Sequence, residues 1–264
     1  MKRIGLGKKE SCLLTTLMGN NESVFTTEKA SLLLGSNLNA TRKLLSDLVR
    51  KGWLIRLKSS LFLIVPLEAG PESHYSEHEL VIASHLAKPY YIGFWSALNF
   101  HGLTEQTPYT VFVATPNKKR SRKILGVEYL FIGVKKENMF GFKEYPIANR
   151  KVFVSDKEKT MVDCLARPDL CGGLTEPLKP LLAGEKLDYG RLISYALKIG
   201  GAALKRTGFL VEKLNLCDVK SLLNKVHTGY VYLDSAGPKE GRHNSRWNII
   251  ENISLEKAAR ELGT

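Results

Sequence analysis

Two stretches of the sequence carry basic and polar side chains at spacings suited to binding a polyanion. The first is TRKLLSDLVRKGWLIRLKSSLFLIVP (residues 41–66), and the second is NKKRSRK (residues 117–123). Guanidinium and ammonium groups bind phosphate oxygens, and the same side chains, together with asparagine and serine, donate hydrogen bonds to base edges. The chemistry that these residues could do is therefore recognition of nucleic acid.

The first stretch lies mostly on a predicted helix that begins near Leu38. At about 100° per residue, its apolar side chains project to one side, and these are Leu44, Leu45, Leu48 and Val49. The adjacent polar strip holds the residues expected to meet base edges, namely Asn39, Arg42, Lys43 and Ser46. Phosphate contacts are expected from Lys29, Arg50, Arg56 and Lys58. A polar strip alone would also suit a helix that is only solvated.

The residues before this strip predict two further helices. Apolar residues at helical spacing indicate a first helix over 10–18. Thr26 or Thr27 can cap a second helix, which stops at Gly35. Ser36 or Asn37 can then cap the third helix, so that the second and third form a helix-turn-helix.

The residues after the strip predict a small hairpin. Residues 53–57 and 61–65 read as two strands on either side of the tip Lys58-Ser59-Ser60. Three helices followed by such a hairpin is the order of a winged helix-turn-helix, whose third helix enters a DNA groove while the wing meets the backbone. A winged helix that contacts protein instead is the alternative.

The charge distribution favours the DNA-binding interpretation. The chain has 264 residues and a net charge of +13, and residues 1–66 contribute 11 Lys or Arg against 4 Asp or Glu. The first quarter therefore holds +7 of the total, which attracts polyanions such as nucleic acid.

The remainder predicts a second, larger domain of mixed strands and helices. Gly70-Pro71 within 67–74 indicates a linker, so we expect a winged helix-turn-helix domain over 1–68 and a mixed α/β domain over 69–264. Strands are predicted at 109–115, 127–134, 150–156 and 229–234. Helices are predicted at 75–87, 90–102, 156–165, 188–200, 202–214 and 218–226. The predicted fold class is α+β (mixed).

The second basic stretch falls between two of these strands. A charge run there could be a solvated loop, or a second contact with nucleic acid or with an acidic or RNA-bearing partner. The residues concerned are Lys118, Lys119, Arg120, Arg122 and Lys123.

Signals for catalysis are weaker. His74, His78 and His85 lack the H-E-x-x-H spacing of a zinc site, and Cys164 falls in an apolar helical run. Asp218-x-Lys220 matches one fragment of a nuclease site without the paired carboxylates that metal chemistry needs. No Walker A loop and no G-x-G-x-x-G occurs. We therefore expect no enzymatic activity, no cofactor and no metal.

The composition suits a cytoplasmic, nucleoid-associated protein. The four cysteines form no C-x-x-C pair, which fits a reducing compartment. No stretch reaches the about 18 apolar residues of a membrane span, and the basic N-terminus lacks the apolar region of a secretion signal, so no membrane association is expected.

The order of motifs resembles the AbiEi antitoxins of type IV toxin–antitoxin systems. The resemblance spans nearly the whole chain. It rests on LVRKGWLIRLKSSLFLIVP (48–66), SALNFHGLTEQTP (96–108), VSDKEKTMVDCLARPDLCGGL (154–174), ALKRTGFLVEKL (203–214) and YVYLDSAGPKEGRHNSRWNIIENI (230–253). One departure concerns the wing, where Ser60 precedes Leu61-Phe62 and family members often have glycine followed by an aromatic residue.

The resemblance implies a transcriptional autorepressor that binds inverted repeats in its own promoter, with Arg42, Lys43, Arg56 and Lys58 as DNA contacts. It also implies an antitoxin function against a nucleotidyltransferase-like toxin, with or without direct contact, and no enzymatic activity. The candidate positions for that function are Lys159, Thr160, Asp163, Lys205 and Arg206. Thr160 and Asp163 could instead only order their helix. The alternatives are a stand-alone winged-helix transcription factor, dimeric or not on its DNA, and an enzyme that processes nucleic acid with its second domain.

Overall fold

Residues 4–66, 77–148 and 150–257 are described by a computed structural model, in which the chain divides into two units, residues 1–85 and 86–264. We call these the N-terminal and the C-terminal unit. The predicted linker over 67–74 and the predicted domain boundary at 68/69 lie outside the described residues.

Within residues 4–66, the N-terminal unit forms three helices and a three-stranded sheet. In chain order these are α1 (Lys8–Gly19), β1 (Val24–Thr26), α2 (Thr27–Leu34), α3 (Leu38–Arg50), β2 (Leu54–Lys58) and β3 (Leu61–Ile64). The sheet has the order β1-β3-β2 and is antiparallel throughout. This is the predicted winged helix-turn-helix, with β1 as an additional strand that three residues were too few to reveal in the sequence.

The ends of the helices are fixed by the residues that the sequence indicated. Thr26 Oγ1 accepts a hydrogen bond from Lys29 N (3.3 Å) and caps α2, which ends at Gly35 in the left-handed region with φ 56°. Asn37 Oδ1 accepts from Ala40 N (2.9 Å) and caps α3. The apolar faces of the three helices then close on the sheet in one core, which includes Leu13, Leu17, Phe25, Ala30, Leu45, Leu48 and Phe62.

Helix α4 (Glu79–Leu86) ends one residue past the boundary between the units. A helix was predicted over 75–87; among the described residues 77–87, residues 79–86 form the helix and the others do not. The predicted helix over 90–102 is in fact a short strand followed by a helix, β4 (Tyr91–Ile92) and α5 (Phe94–Phe100).

The C-terminal unit is built on a six-stranded mixed sheet of order β6-β7-β5-β4-β9-β8. The further strands are β5 (Thr110–Thr115), β6 (Arg122–Ile124), β7 (Val127–Gly133), β8 (Phe142–Ile147) and β9 (Arg150–Ser155). The pairs β5–β7 and β4–β9 are parallel, and the other three pairs are antiparallel. The basic stretch was predicted as a loop between strands, but its last residues form the edge strand β6.

Helices and a second sheet complete this unit. The helices are α6 (Lys157–Ala166), α7 (Thr175–Leu182), α8 (Tyr189–Ile199), α9 (Gly201–Lys213) and α10 (Lys220–Leu223). A three-stranded sheet of order β10-β12-β11 joins β10 (Val231–Tyr232), β11 (Arg242–Asn244) and β12 (Ile249–Glu251). The fold class is thus mixed α+β, as predicted, with a winged helix-turn-helix followed by a larger mixed unit.

Candidate nucleic-acid interface

Helix α3 presents the predicted polar strip to solvent. The opposite face is buried through Thr41, Leu45 and Leu48, which lie in the interior of the N-terminal unit. The exposed face carries the four residues expected to meet base edges, Asn39, Arg42, Lys43 and Ser46, together with Arg50, which was expected to contact phosphate. The helix therefore offers a continuous set of hydrogen-bond donors to a ligand while its other side holds the fold together.

The exposed side chains of the strip and of α2 make weak contacts that a ligand could replace. Arg42 Nη1 donates to Asn39 Oδ1 (3.1 Å), one turn away. Arg50 forms an ion pair with Asp47 (2.8 Å), and Lys29 forms one with Glu22 (3.2 Å). Exposed ion pairs of this kind contribute about 0–1 kcal/mol of stability, so little free energy is lost when a phosphate replaces the carboxylate partner.

The wing places two further cations beside α3. A register shift lies between Arg56 and Lys58 in β2, opposite Phe62 and Leu61 of β3. Neither Ser59 nor Ser60 adopts a positive φ, so the backbone of this wing tip does not require a glycine. Arg56 is exposed, with its guanidinium carbon 5.3 Å from the Phe62 ring centroid. Lys58 Nζ donates to the carbonyl oxygen of His85 (3.4 Å) and is half-buried.

One end of the six-stranded sheet is a second cationic surface. Strands β5 and β7 run parallel in register up to the pair Thr115 and Gly133, so the segments that follow both strands emerge at the same end. Tyr91 of the antiparallel β4 pairs with Ala114, which brings the residues just before β4 to this end as well. We call this surface the basic end and define it as Lys88, Lys118, Lys119, Arg120, Lys135 and Lys136.

Hydrogen bonds hold the segments of the basic end together. Asn117 Nδ2 donates to Lys88 O (2.9 Å), and Lys119 Nζ donates to Leu86 O (2.7 Å). Lys135 has a long ion pair with Glu137 (3.8 Å). The other four exposed cations form no ion pair with any residue that the structure describes, and these are Lys88, Lys118, Arg120 and Lys136.

The structure separates the five basic residues that the sequence grouped together. Lys118, Lys119 and Arg120 belong to the basic end. Arg122 and Lys123 lie instead on the edge strand β6, opposite Tyr129 and Glu128, toward the other end of the sheet. Sequence reasoning missed Lys88, Lys135 and Lys136, because they join the surface only through strand order.

The positions proposed for antitoxin function are buried in the C-terminal unit. Lys159 Nζ lies 2.5 Å from Asp163 Oδ1 and donates to Tyr91 Oη (2.9 Å), which in turn donates to Asp163 Oδ2 (2.8 Å). Burial raises the pKa of Asp163, and the Lys159 charge opposes that rise. Thr160 Oγ1 shares a 2.6 Å hydrogen bond with Ser155 Oγ.

The two remaining positions also point inward. Arg206 donates from Nη1 to the carbonyls of Leu165 and Ala166 (both 2.9 Å), and from Nε and Nη2 to that of Tyr232 (2.9 and 2.8 Å). Burial lowers the pKa of Arg206 to about 10. Lys205 Nζ donates to the carbonyl oxygen of Gly229. All five side chains therefore form hydrogen bonds or an ion pair with other groups inside the C-terminal unit. They can affect a partner only indirectly, by stabilising that unit.

The weak catalytic signals do not converge on one place. Among residues 4–66, 77–148 and 150–257, no group of three or more His, Cys, Asp and Glu side chains could hold a metal ion. Cys164 is buried, which raises the pKa of its thiol, and Asp218 and Lys220 form an exposed pair 3.9 Å apart. His74 lies outside the described residues. No helix in the described part of the chain is long and apolar enough to cross a bilayer.

Comparisons with known proteins bear on the fold. No family model matches the chain, and no curated protein matches it in sequence. Its structure is similar to that of the RV2827C protein from Mycobacterium tuberculosis, with a TM-score of 0.69 and 18% identity over 100% of this chain and 97% of that one. At that identity the similarity shows a shared fold alone, and it covers both units of the chain.

Proposed function

We propose that this protein is a DNA-binding transcriptional autorepressor that acts as the antitoxin of a type IV toxin–antitoxin system. The observation that carries the DNA-binding part is the exposed polar strip of α3 beside a wing with two cations. The antitoxin part depends on the resemblance to AbiEi proteins. In this proposal the protein is not an enzyme, needs no cofactor and works in the cytoplasm at the nucleoid.

In the proposed DNA complex, one set of side chains contacts the bases and another contacts the sugar-phosphate backbone. Helix α3 lies in the major groove, where Arg42 and Lys43 donate to guanine and Asn39 pairs with adenine, while Ser46 donates to either. The remaining cations hold the sugar-phosphate backbone and set the register, and these are Lys29, Arg50, Arg56 and Lys58. Binding to inverted repeats requires two copies of the chain about one helical turn apart, so the protein is dimeric on its operator.

The basic end adds a second nucleic-acid contact in the C-terminal unit. Six cations from three chain segments face solvent there, and Lys119 and Lys135 are the two whose ammonium groups are already engaged. Such a surface binds phosphates without reading sequence. Its contribution therefore appears as a steeper salt dependence of binding, whatever the sequence of the duplex.

The partner in the antitoxin function is a nucleotidyltransferase-like toxin. Because the five candidate positions are buried, we propose that they act by maintaining the C-terminal unit and not by touching the toxin. The proposal predicts a toxin gene next to this gene. Co-expression of this protein should restore the growth of cells that express that toxin. A stand-alone transcription factor would have no such neighbour and would restore nothing.

A footprint on the gene's own upstream region tests the DNA-binding function. At about 0.15 M salt, where specific complexes exceed non-specific ones by about 10³-fold or more, the full-length protein should protect two half-sites and prefer this DNA over random duplex. Equal affinity for both duplexes would refute the proposal. Metal-dependent cleavage of the probe by purified protein would favour the enzyme alternative.

A further inference from the structure

Among the described residues of the winged helix-turn-helix (4–66), one carboxylate lies outside the ion pairs, and the proposed function does not use it. The four acidic residues among residues 1–66 are Glu10, Glu22, Glu28 and Asp47. Three of them lie in ion pairs: Glu10 with Lys51 (2.7 Å), Glu22 with Lys29 (3.2 Å) and Asp47 with Arg50 (2.8 Å). Glu28 is exposed, and no cation within residues 4–66 or 77–85 approaches it to ion-pair distance.

Glu28 lies where the second helix meets the wing. It is the second residue of α2, and the backbone N–H of the preceding Thr27 donates to the Ser60 carbonyl at the wing tip (3.0 Å). Across the sheet, Thr26 pairs with Leu61, which pairs with Lys58 on the other side. The start of α2 is thus fixed against the part of the wing that carries Lys58.

The electrostatic surroundings of Glu28 agree with this position. Backbone and Thr26 side-chain hydrogen bonds lower its pKa, and the charges of Arg42 and Lys58 lower it further. The carboxylate is therefore ionised at neutral pH, and its charge interacts with those of a proposed base-reading arginine of α3 and a proposed phosphate contact of the wing. Local attraction of this kind competes with phosphate for the same two cations.

A negative charge on a DNA-binding face weakens non-specific DNA complexes more than specific ones. Non-specific binding consists almost entirely of phosphate contacts, so repulsion between the carboxylate and the phosphates weakens it in full. A specific complex gains part of its free energy from base edges, where Arg42 is turned toward guanine. An opposing charge that rejects wrong partners is a common source of specificity.

We propose that Glu28 is a specificity-determining residue that opposes sequence-independent phosphate binding by Arg42 and Lys58. This inference depends on the proposed function, because it presupposes that α3 and the wing meet DNA. Glu28 acts through the two cations and reads no base itself.

The test is Glu28→Gln in the full-length protein, with dissociation constants measured for upstream and random duplexes at several salt concentrations. Removing one charge near two cations should tighten random-duplex binding about fivefold, steepen its salt dependence, and tighten upstream binding less than about twofold. The preference for upstream DNA should fall accordingly. Glu105→Gln is the matched control, because it removes one exposed carboxylate from the C-terminal unit.

A second variant separates a specific role from a general charge effect. In the Arg42→Ala background, Glu28→Gln should tighten random-duplex binding less than about twofold, because one of the two cations is gone. Equal tightening of both duplexes by Glu28→Gln, or an effect that persists undiminished without Arg42, would overturn the inference. Failure of the proposed function gives a different result, in which the unmodified protein shows no preference for upstream DNA at all.

Discussion

Lys159 and Asp163 form an ion pair in the interior of the C-terminal unit, one turn apart on α6, with Nζ 2.5 Å from Oδ1. Tyr91 of β4 closes the cluster by hydrogen bonding to both side chains. The ammonium also lies 4.9 Å from the centroid of the Tyr91 ring and 5.2 Å from that of Phe140. The pair therefore joins α6 to β4, one of the two central strands of the sheet. The buried charges are tolerated there because each of the three groups has a partner.

Removing the acid from this cluster should destabilise the fold. Asp163→Asn leaves the Lys159 ammonium buried without a counter-charge, so we expect the free energy of unfolding to fall by about 3–5 kcal/mol. Urea denaturation followed by circular dichroism measures this loss. The double variant Lys159→Met, Asp163→Leu should be less destabilised than Asp163→Asn, since no unpaired charge is left behind. A loss below about 1 kcal/mol in Asp163→Asn would contradict this account.

Removing two cations from the polar strip of α3 should weaken DNA binding and reduce selectivity. For Arg42→Ala with Lys43→Ala, we expect about a 10- to 100-fold weaker complex with the upstream duplex, because a bidentate base contact contributes about 1–3 kcal/mol. The loss on random duplex should be smaller. Fluorescence anisotropy at constant salt measures both affinities.

Lys8→Ala with Lys9→Ala is the matched control for the α3 variant. These two lysines are exposed in the first turn of α1, so the variant removes the same charge from the same unit. We expect it to change affinity less than about threefold, as a general charge effect would. An equal loss in both double variants would show that net charge, and not the α3 strip, determines binding.

The basic end should contribute to the salt dependence of binding. Substituting alanine for Lys118, Lys119 and Arg120 should lower the slope of log affinity against log salt by about 0.9 for each phosphate that the protein no longer neutralises. Lys135→Ala with Lys136→Ala should lower it independently, because those residues reach the surface from a different strand. Lys186→Ala with Lys225→Ala is the control, with two exposed lysines outside the basic end. An unchanged slope in the first two variants would mean that the basic end is only solvated.

Local signals made the N-terminal unit predictable. The caps of α2 and α3 and the glycine at the end of α2 are decided by a few adjacent residues, and the buried face of α3 follows from helical periodicity. The sequence shows Glu28 as an acid in the first turn of α2, but its place beside the wing depends on the non-local contact between Thr27 and Ser60.

Non-local pairing explains what the sequence could not reveal in the C-terminal unit. Lys88, Lys118 and Lys136 come together only because β5 pairs in parallel with β7 and antiparallel with β4, and strand order is not encoded in any short segment. Helix α7 was missed because Pro177 and Pro180 argue against a helix, yet tertiary packing buries both. The burial of Lys205 and Arg206 likewise depends on carbonyl groups far away in the chain, at residues 165–166 and 229–232.

Acid should selectively destabilise the N-terminal unit through Glu10. Burial raises the pKa of Glu10, but hydrogen bonds from Lys51 Nζ (2.7 Å) and Gly7 N–H (2.7 Å), together with the Lys51 charge, outweigh it, so the pKa is lowered overall. A carboxyl with a lowered folded-state pKa contributes stability above its unfolded value, and this contribution is lost as pH falls through the folded value.

The variant Glu10→Gln isolates that contribution. At pH 7 it should lower the free energy of unfolding by about 1–3 kcal/mol, the usual contribution of a charge-assisted hydrogen bond. The difference from the unmodified protein should shrink between about pH 5 and pH 3, because protonation of Glu10 then removes the same interaction from both. Urea denaturation of both proteins across this pH range measures the difference in their free energies of unfolding. Glu137→Gln, which removes the partner of exposed Lys135, should change stability by less than about 0.5 kcal/mol throughout. A Glu10→Gln difference that stayed constant down to pH 3 would show that packing, and not the ion pair with Lys51, is responsible.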